Sequence, residues 1–290
     1  MDVTVIGTGA MGTAVVESLL DKGHNVTVFN RTAANAEQSA AKGAAVSETV
    51  GSAIQASSVV ISVVVDAAAL DALVLRSEIL PLFGGRTFIK MTTTNGRQAR
   101  EIARTIQAAG GSCLELAILN FPDEVRRGAM HAMVGGAEDE FARWAQLLDD
   151  LGPKMLRVGD IGAASIAENA MLQIMMFQLV AFSYGLAVFD RAGLPQDVFV
   201  DATRENPLFQ IPLGEYFVGR MQGDDFDPAL YRLVKHASDM QLTLDDMEEL
   251  GIVTDALRAA RDLLVRGVEQ GRGEQDYTSV YKVISPDPDG

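Results

Sequence analysis

Three glycines in the pattern G-x-G-x-x-G stand near the start of the chain, in the stretch VIGTGAMG. Gly7 permits a tight turn, Gly9 lets the backbone approach a bound phosphate, and Gly12 lets the following helix pack closely on the preceding strand. The helix that follows offers free backbone N–H groups at its amino end, where anions bind readily. This strand–turn–helix context predicts a dinucleotide pyrophosphate site to which Ala10 and Met11 also belong.

The residues after the second predicted strand indicate which dinucleotide is bound. The strand NVTVF is followed by Asn30, Arg31 and Thr32. A site for NAD carries Asp or Glu here to bind the ribose 2′-hydroxyl. A neutral Asn followed by a guanidinium instead suits a 2′-phosphate, through charge-assisted hydrogen bonds. We therefore expect the cofactor NADP(H).

One carboxyl group in the second half of the chain has a position suited to proton chemistry. Glu168 precedes the stretch from Asn169 to Phe189, which contains no charged residue. Apolar surroundings favour the neutral form of a carboxyl group, which can donate a proton, whereas an ionised carboxylate would stabilise a cationic substrate. The alternative is that Glu168 interacts only with the amino end of its own helix. Asn169 either forms a hydrogen bond with the substrate amine or the cofactor carboxamide, or satisfies backbone groups.

Further cofactor contacts are expected where predicted strands end. Val64 and Val65 end the strand SVVISVVV, and Thr92 and Thr93 follow the strand RTFIKM. Ligands of open α/β sheets bind at the carboxyl ends of the strands. We expect the two valines to pack on the nicotinamide ring and the two threonines to line the same site.

Strand and helix patterns alternate from Val3 to about Gly159, which predicts a mostly parallel sheet with helices on both faces. Beyond that point strand patterns almost vanish. The fold class is therefore α/β, with a Rossmann-type doubly wound NADP-binding domain over residues 1–159 and an all-helical dimerisation and substrate domain over 160–290. Helices are predicted over the ranges 163–192, 195–205, 228–249 and 252–270.

The first of these helices, at about 163–192, is apolar on nearly every side. Such a helix is either buried in a large assembly or spans a membrane. Gln173, Gln178 and Ser183 interrupt the apolar run, and no Lys/Arg cluster flanks it, as a membrane anchor would require. We expect a core helix of a homodimer and no membrane association.

Composition excludes several classes of protein. The chain has 290 residues, with 24 Lys and Arg against 39 Asp and Glu, for a net charge of −15. An acidic surface repels phosphate backbones, so we expect no nucleic-acid partner. Cys113 is the single cysteine, and without a Cys/His cluster we expect no metal site. The chain opens directly into a strand with no secretory signal, which favours a cytoplasmic location.

The motifs GTGAMG, GHNVTVFNRT and MVGG, with the long helix after a GxxG turn, resemble the β-hydroxyacid dehydrogenase superfamily. The resemblance covers Val3 to about Ile284 and implies a C-terminal domain like that of 6-phosphogluconate dehydrogenase. Hydroxyacid dehydrogenases of this superfamily place a catalytic lysine in a K-x-x-N pattern one turn into the interdomain helix. The matching residue here is Ile166, which cannot donate a proton.

The same region is similar to the imine reductase and reductive aminase branch. GAASIAE resembles that branch's G-x-A-S-L-Y-D, which implies that Glu168 faces the nicotinamide. MTTTNGRQAR resembles L-T-S-x-T-P-x-x-A-R, with Gly96 in place of the proline. ELAILNFP resembles D-G-A-I-x-x-x-P, which implies that Asn120 lies near the substrate. Met176 replaces a tyrosine often found two turns after the acid, which makes the expected pocket more apolar.

The resemblance implies an NADPH-dependent oxidoreductase that reduces the C=N bond of cyclic imines or iminium ions by hydride transfer. Three alternatives remain open. The first is a hydroxyacid-type NADP-dependent oxidoreductase, and the second is a reductive aminase that couples a ketone with an amine. The third is a module that binds NADPH without catalysis.

Overall fold

A computed structural model describes residues 1–191, 193–205, 214–249 and 254–286. The chain divides into two compact units, Met1–Glu168 and Asn169–Gly290. The first unit combines a sheet with helices, and the described part of the second is helical. Residue 192, at the end of the long predicted helix, and residues 252–253, at the start of the last one, lie outside the described residues.

The first unit is built on an eight-stranded sheet in the order β3-β2-β1-β4-β5-β6-β7-β8. Its strands are β1 Asp2–Ile6, β2 Asn25–Phe29, β3 Ala45–Val46, β4 Val59–Ser62, β5 Thr87–Lys90, β6 Ser112–Ile118, β7 His131–Gly135 and β8 Lys154–Gly159. All pairs are parallel except β6 with β7. This arrangement confirms the predicted Rossmann-type fold class. The edge strand β8 was not predicted.

Helices cover the sheet in the first unit. They are α1 Ala10–Asp21, α2 Ala33–Ala40, α3 Val50–Gln55, α4 Ala67–Leu73, α5 Gly96–Ala108, α6 Pro122–Arg126, α7 Glu138–Arg143 and α8 Ala145–Leu151, with a 3-10 turn at Leu80–Phe83. Strand β4 is completely buried because its branched apolar side chains are covered on both faces. β1 lies between β2 and β4, so the winding reverses there, and ligands of such sheets bind beyond the carboxyl ends at this point.

The long helix α9, Ala163–Arg191, begins in the first unit and continues into the second. The second unit adds α10 Gln196–Glu205, α11 Gly214–Gly223, α12 Leu233–Glu249, α13 Asp255–Gly267, a π-helical turn at Val268–Arg272, a 3-10 turn at Tyr277–Val280 and α14 Tyr281–Ile284. Large apolar side chains from these elements form one core, among them Leu186, Phe217, Leu244, Leu264 and Tyr277.

One helix and one helix boundary in the second unit differ from the sequence prediction. Helix α11 was not predicted, and α12 begins at Leu233 rather than at Pro228. The backbone N–H groups of Leu230 and Tyr231 donate to the Asp276 carboxylate, at 2.9 and 3.4 Å. These bonds fix the segment before α12 to a distant part of the chain, so it does not continue the helix.

Helix α9 also bears on the question of a membrane. Its residues 163–180 are long and apolar enough to cross a bilayer, by length and composition alone. The core helix of a soluble protein has the same length and composition. Within this stretch Met176 and Leu179 are completely buried in the core of the second unit.

Candidate active site

The glycine loop between β1 and α1 is shaped by close backbone contacts. Gly7 has a φ of +97°, and a Cβ there would lie 2.3 Å from the carbonyl oxygen of Val63. A Cβ on Gly12 would lie 1.9 Å from the carbonyl oxygen of Gly7. A Cβ on Gly9 would have no atom within 4 Å. Two of the three glycines are therefore required by the fold, and Gly9 faces open space.

The amino end of α1, whose first residues are Ala10 and Met11, fits a bound pyrophosphate. No side chain caps the helix, and its first turn has no acidic residue. The Thr8 hydroxyl is buried and has no hydrogen-bond partner among the described residues. Free N–H groups, a nearby hydroxyl and an open approach at Gly9 are the features that bind a phosphate group.

The residues after β2 are held next to this loop. The Asn30 side-chain oxygen accepts a hydrogen bond from the backbone N–H of Thr8 at 3.1 Å, and its amide donates to the Thr32 carbonyl at 3.0 Å. Asn30 therefore joins the glycine loop to the start of α2. Arg31 is exposed and makes no ion pair within the described part of the chain, so its guanidinium is available to a 2′-phosphate.

The predicted nicotinamide contacts lie at the carboxyl ends of β4 and β5. The backbone N–H of Val64 donates to the Thr92 hydroxyl at 3.4 Å, so these two predicted residues are brought together. Val65 is exposed, Thr92 is buried and Thr93 is half-buried. Their contacts with a nicotinamide ring stay a prediction.

The first turn of α9 carries the position at which hydroxyacid dehydrogenases have a lysine. A Cβ on Gly96 would lie 2.7 Å from Cγ1 of Ile166 and 3.1 Å from the Gly162 carbonyl oxygen. Ile166 therefore packs directly on the glycine that replaces the branch's proline. The two departures from the family pattern are complementary in space, because a larger residue at position 96 would collide with this isoleucine.

The remaining predicted site residues have different surroundings. Glu168 is 8% exposed and Asn169 is buried. The Asn169 amide donates to the Asp246 carboxylate at 2.8 Å. The Asn120 side-chain oxygen accepts from the backbone N–H of His131. Met176 has no exposed surface and packs in the core of the second unit.

A pair of buried charges in the first unit was missed by sequence reasoning. Lys90 ends β5 and Glu115 lies in β6, and their side-chain atoms Nζ and Oε2 are 3.8 Å apart. The two residues are 2% and 1% exposed. A charged residue within each of two otherwise apolar strands, TFIK and CLELAI, was the pattern that could have identified them.

A buried histidine in the second unit was not selected as a site residue. His236 lies edge-on to the rings of Tyr231 and Tyr277, at centroid distances of 5.1 and 5.3 Å. Burial, with a smaller effect of the Lys235 charge, lowers the pKa of His236 to about 3. The imidazole is therefore neutral at physiological pH.

Comparison with known proteins agrees with this fold and with the expected class of cofactor. Residues 2–159 match the family described as the NAD binding domain of 6-phosphogluconate dehydrogenase. Residues 160–286 match the family described as the C-terminal domain of NADPH-dependent reductive aminase-like proteins. The first match covers more than half of the chain, and it confirms the expected class of cofactor.

Individual relatives have several activities. Glyoxylate/succinic semialdehyde reductase 1 of Arabidopsis thaliana is 26% identical over 98% of each chain. An imine reductase from Myxococcus stipitatus, solved with NADP+, is 27% identical with a TM-score of 0.69, over 98% of this chain and 100% of that one. The 3-hydroxyisobutyrate dehydrogenase of Salmonella typhimurium has the same fold, with a TM-score of 0.89 at 21% identity over 98% of this chain and 99% of that one.

The glycine loop, the acid-free residues after β2 and the two family matches lead to one assignment. The chain is an NADP(H)-binding oxidoreductase. It belongs to the β-hydroxyacid dehydrogenase superfamily, in the branch of the imine reductases and reductive aminases.

Proposed function

We propose that this protein is an NADPH-dependent imine reductase that acts on cyclic imines or iminium ions. The observation that carries the proposal is the first turn of α9, where Ile166 packs on Gly96 and fills the lysine position. Glu168 is the first ionisable residue of this helix, which begins at Ala163. An isoleucine cannot serve an alcohol substrate as an acid or base, whereas a carboxyl group suits an imine.

Bound NADPH supplies the hydride for such a reaction. The glycine loop and the amino end of α1 hold the pyrophosphate, and Arg31 binds the 2′-phosphate. Glu168 either donates a proton to the imine nitrogen or, when ionised, stabilises the iminium charge. Asn120 and Asn169 are the proposed polar substrate contacts. Met176 would reach a substrate only if the core around it opened.

Two other activities have specific support. The match of residues 160–286 to reductive aminase-like proteins favours coupling of a ketone with an amine, followed by reduction of the imine. The relative in Arabidopsis thaliana is named for reduction of aldehydes. Either reaction in this chain would use the bound NADPH, so the two alternatives differ from the proposal in the substrate that turns over.

We also propose a cytoplasmic homodimer formed through α9. Met171, Ile174 and Phe177 are spaced three residues apart on this helix and are exposed, Ile174 by 54%. Residues with this spacing lie on one side of a helix, and an exposed apolar stripe of this kind fits a second copy of the chain.

The reaction is tested by following oxidation of NADPH by absorbance, with a cyclic imine such as 2-methylpyrroline. Parallel assays use succinic semialdehyde, a 3-hydroxy acid with NADP+, and a ketone with an equimolar amine. The variants are Glu168→Gln, which removes the acid but keeps the shape, and Glu101→Gln as a control on the exposed face of α5.

Imine turnover that falls at least about a hundredfold in Glu168→Gln, with the control unchanged, supports the proposal, since general acid catalysis contributes about that much. A decline of kcat with rising pH that is lost in Glu168→Gln would identify Glu168 as the proton donor. A decline with falling pH that is lost in the same variant would identify it as the ionised stabiliser. Turnover of the aldehyde or hydroxy acid without the imine would overturn the proposal.

A further inference from the structure

The buried pair Lys90 and Glu115 forms a network in which most donor and acceptor atoms have a hydrogen-bond partner. The Lys90 ammonium donates to the Thr92 carbonyl at 2.7 Å, the Thr94 hydroxyl at 3.0 Å and the Ser165 hydroxyl at 3.4 Å. An ammonium has three N–H groups, so all of them have partners. The Lys90 side chain is 3% exposed, which keeps it from contacting a substrate directly.

Glu115 connects this network to the amino end of α9. Its Oε1 accepts from the backbone N–H groups of Gly162 at 2.5 Å and Ala164 at 3.0 Å, and its Oε2 accepts from the Ser165 hydroxyl at 2.7 Å. A carboxylate at this place satisfies N–H groups that have no partner within the helix and interacts favourably with the helix dipole. Glu115 therefore caps α9 from a neighbouring strand.

The backbone of β7 leaves space for this cap. Glu115 pairs with Gly135 in the β6–β7 ladder. A Cβ on Gly135 would lie 2.4 Å from the Glu115 Oε1 atom. Gly135, the first glycine of the MVGG motif, thus gives the carboxylate a direct path to α9. Any larger residue at this position would displace the Glu115 carboxylate.

Burying two opposite charges costs free energy even when they pair well, so we expect a role that offsets this cost. The chain segments that the network joins indicate such a role. Lys90 holds the loop at Thr92 and Thr94, where the nicotinamide contacts are predicted, and it reaches Ser165 in the first turn of α9. Glu168 lies three residues further along the same helix, which is close to one turn.

We propose that Lys90, acting through Glu115 and Ser165, is a positioning residue that fixes the first turn of α9, and with it Glu168, against the loop after β5. The part of this inference that concerns Glu168 rests on the proposed function. The part that concerns the helix turn does not, and it can be measured without a substrate.

The test compares three variants with a matched control. Lys90→Met removes the charge at similar length, Ser165→Ala removes the connecting hydroxyl without changing any charge, and Ser165→Thr keeps a hydroxyl. Lys42→Met is the control, since Lys42 is exposed and its ammonium lies 3.5 Å from the Glu17 carboxylate. The measurements are amide hydrogen exchange of the peptide covering residues 160–170, the NADPH dissociation constant, the melting temperature, and kcat and KM with the imine.

Lys90→Met and Ser165→Ala should exchange faster at residues 160–170 while exchange elsewhere in the sheet is unchanged. Their kcat should fall about tenfold to a hundredfold, the expected effect of misplacing a catalytic group by about an ångström. The NADPH dissociation constant and the imine KM should stay within about twofold, well below that effect on kcat. Ser165→Thr should keep the exchange at residues 160–170 and the kcat of the unchanged protein. Lys42→Met should change neither quantity.

Unchanged exchange at residues 160–170 in a folded Ser165→Ala protein would overturn the proposal, and so would a lower melting temperature with normal kcat. If Lys90→Met fails to fold, the two Ser165 variants decide the question. Failure of the proposed function is recognised separately, because the unchanged protein would then not turn over the imine, or Glu168→Gln would keep full imine turnover. Faster exchange in Ser165→Ala would still support the positioning of the helix turn in that case.

Discussion

Gly12 lies so close to Gly7 that a Cβ on Gly12 would be 1.9 Å from the Gly7 carbonyl oxygen. The contact closes the turn between β1 and α1 and fixes the direction in which the free N–H groups of the helix point. Gly9, between them in sequence, faces open space. The three glycines of one motif therefore divide into two that the fold requires and one, Gly9, that has open space beside it for the proposed ligand.

Alanine substitutions should separate these two roles. Gly12→Ala should destabilise the protein by at least about 1–3 kcal/mol, because the added methyl group cannot be accommodated without moving the backbone. Gly9→Ala should leave the melting temperature unchanged and weaken NADPH binding, because the methyl group occupies the approach of the pyrophosphate. The two are measured by thermal unfolding and by titration of cofactor fluorescence. Equal melting temperatures for Gly12→Ala and the unchanged protein would contradict the first expectation.

Arg31 should determine the preference for NADPH. In Arg31→Ala the dissociation constant for NADPH should rise by about tenfold to a hundredfold, the equivalent of a hydrogen bond between charged groups. The constant for NADH should change little because NADH has no 2′-phosphate. Arg127→Ala, which removes a cation exposed on a different helix end, serves as the control. A parallel loss of affinity for both cofactors would show that Arg31 does not contact the phosphate.

His236 should make the protein less stable in acid. Its pKa is lowered to about 3 by burial in the folded chain and is near the ordinary 6.5 in the unfolded chain. Between these values the unfolded state binds a proton that the folded state does not, so stability falls as pH decreases, by up to about 1.4 kcal/mol per pH unit.

The variant His236→Phe keeps a ring between Tyr231 and Tyr277 and should remove this contribution. Urea unfolding of both proteins between pH 7 and pH 4 measures it, and subtraction cancels the carboxylates common to both proteins. Parallel stability curves for the two proteins would be inconsistent with a neutral buried histidine.

The Cys113 thiol should not react with thiol reagents until the protein unfolds. Burial raises the pKa of its thiol to about 12, so almost no thiolate forms near neutral pH. Ellman's reagent should detect no thiol in the folded protein and one thiol per chain in guanidinium, since the sequence has a single cysteine. Rapid modification of the folded protein would show that this part of the sheet opens easily.

Ile174 should be part of the proposed dimer interface. A charge placed there by Ile174→Glu should convert the dimer into a monomer in analytical ultracentrifugation at micromolar concentration, because an unpaired buried charge is strongly unfavourable in an interface. Val46→Glu, at a similarly exposed apolar residue of β3, is the matched control and should leave the dimer intact. A monomeric protein before any substitution would reject the dimer itself.

The local patterns that predicted the fold are those that depend on neighbouring residues. The strand VVIS is buried on both faces, as its branched apolar side chains predict. The three glycines of the loop between β1 and α1 lie within six residues, so their spacing is a local pattern as well. The predicted start of α12 at Pro228 was wrong because Asp276, far along the chain, binds the backbone at Leu230 and Tyr231. A competing partner of this kind leaves no trace in the local pattern.

The sequence by itself determined the α/β class, the dinucleotide loop, the absence of an acid beside Arg31 and the presence of Ile166 where related enzymes carry lysine. Only the tertiary structure showed that Ile166 packs on Gly96, and that Lys90 and Glu115 both hydrogen-bond with Ser165 in the first turn of α9. The physical reason is that a helical or strand pattern depends on residues a few positions apart. A contact between a strand end and a distant helix depends on the register of the sheet, which forms only when the whole chain folds.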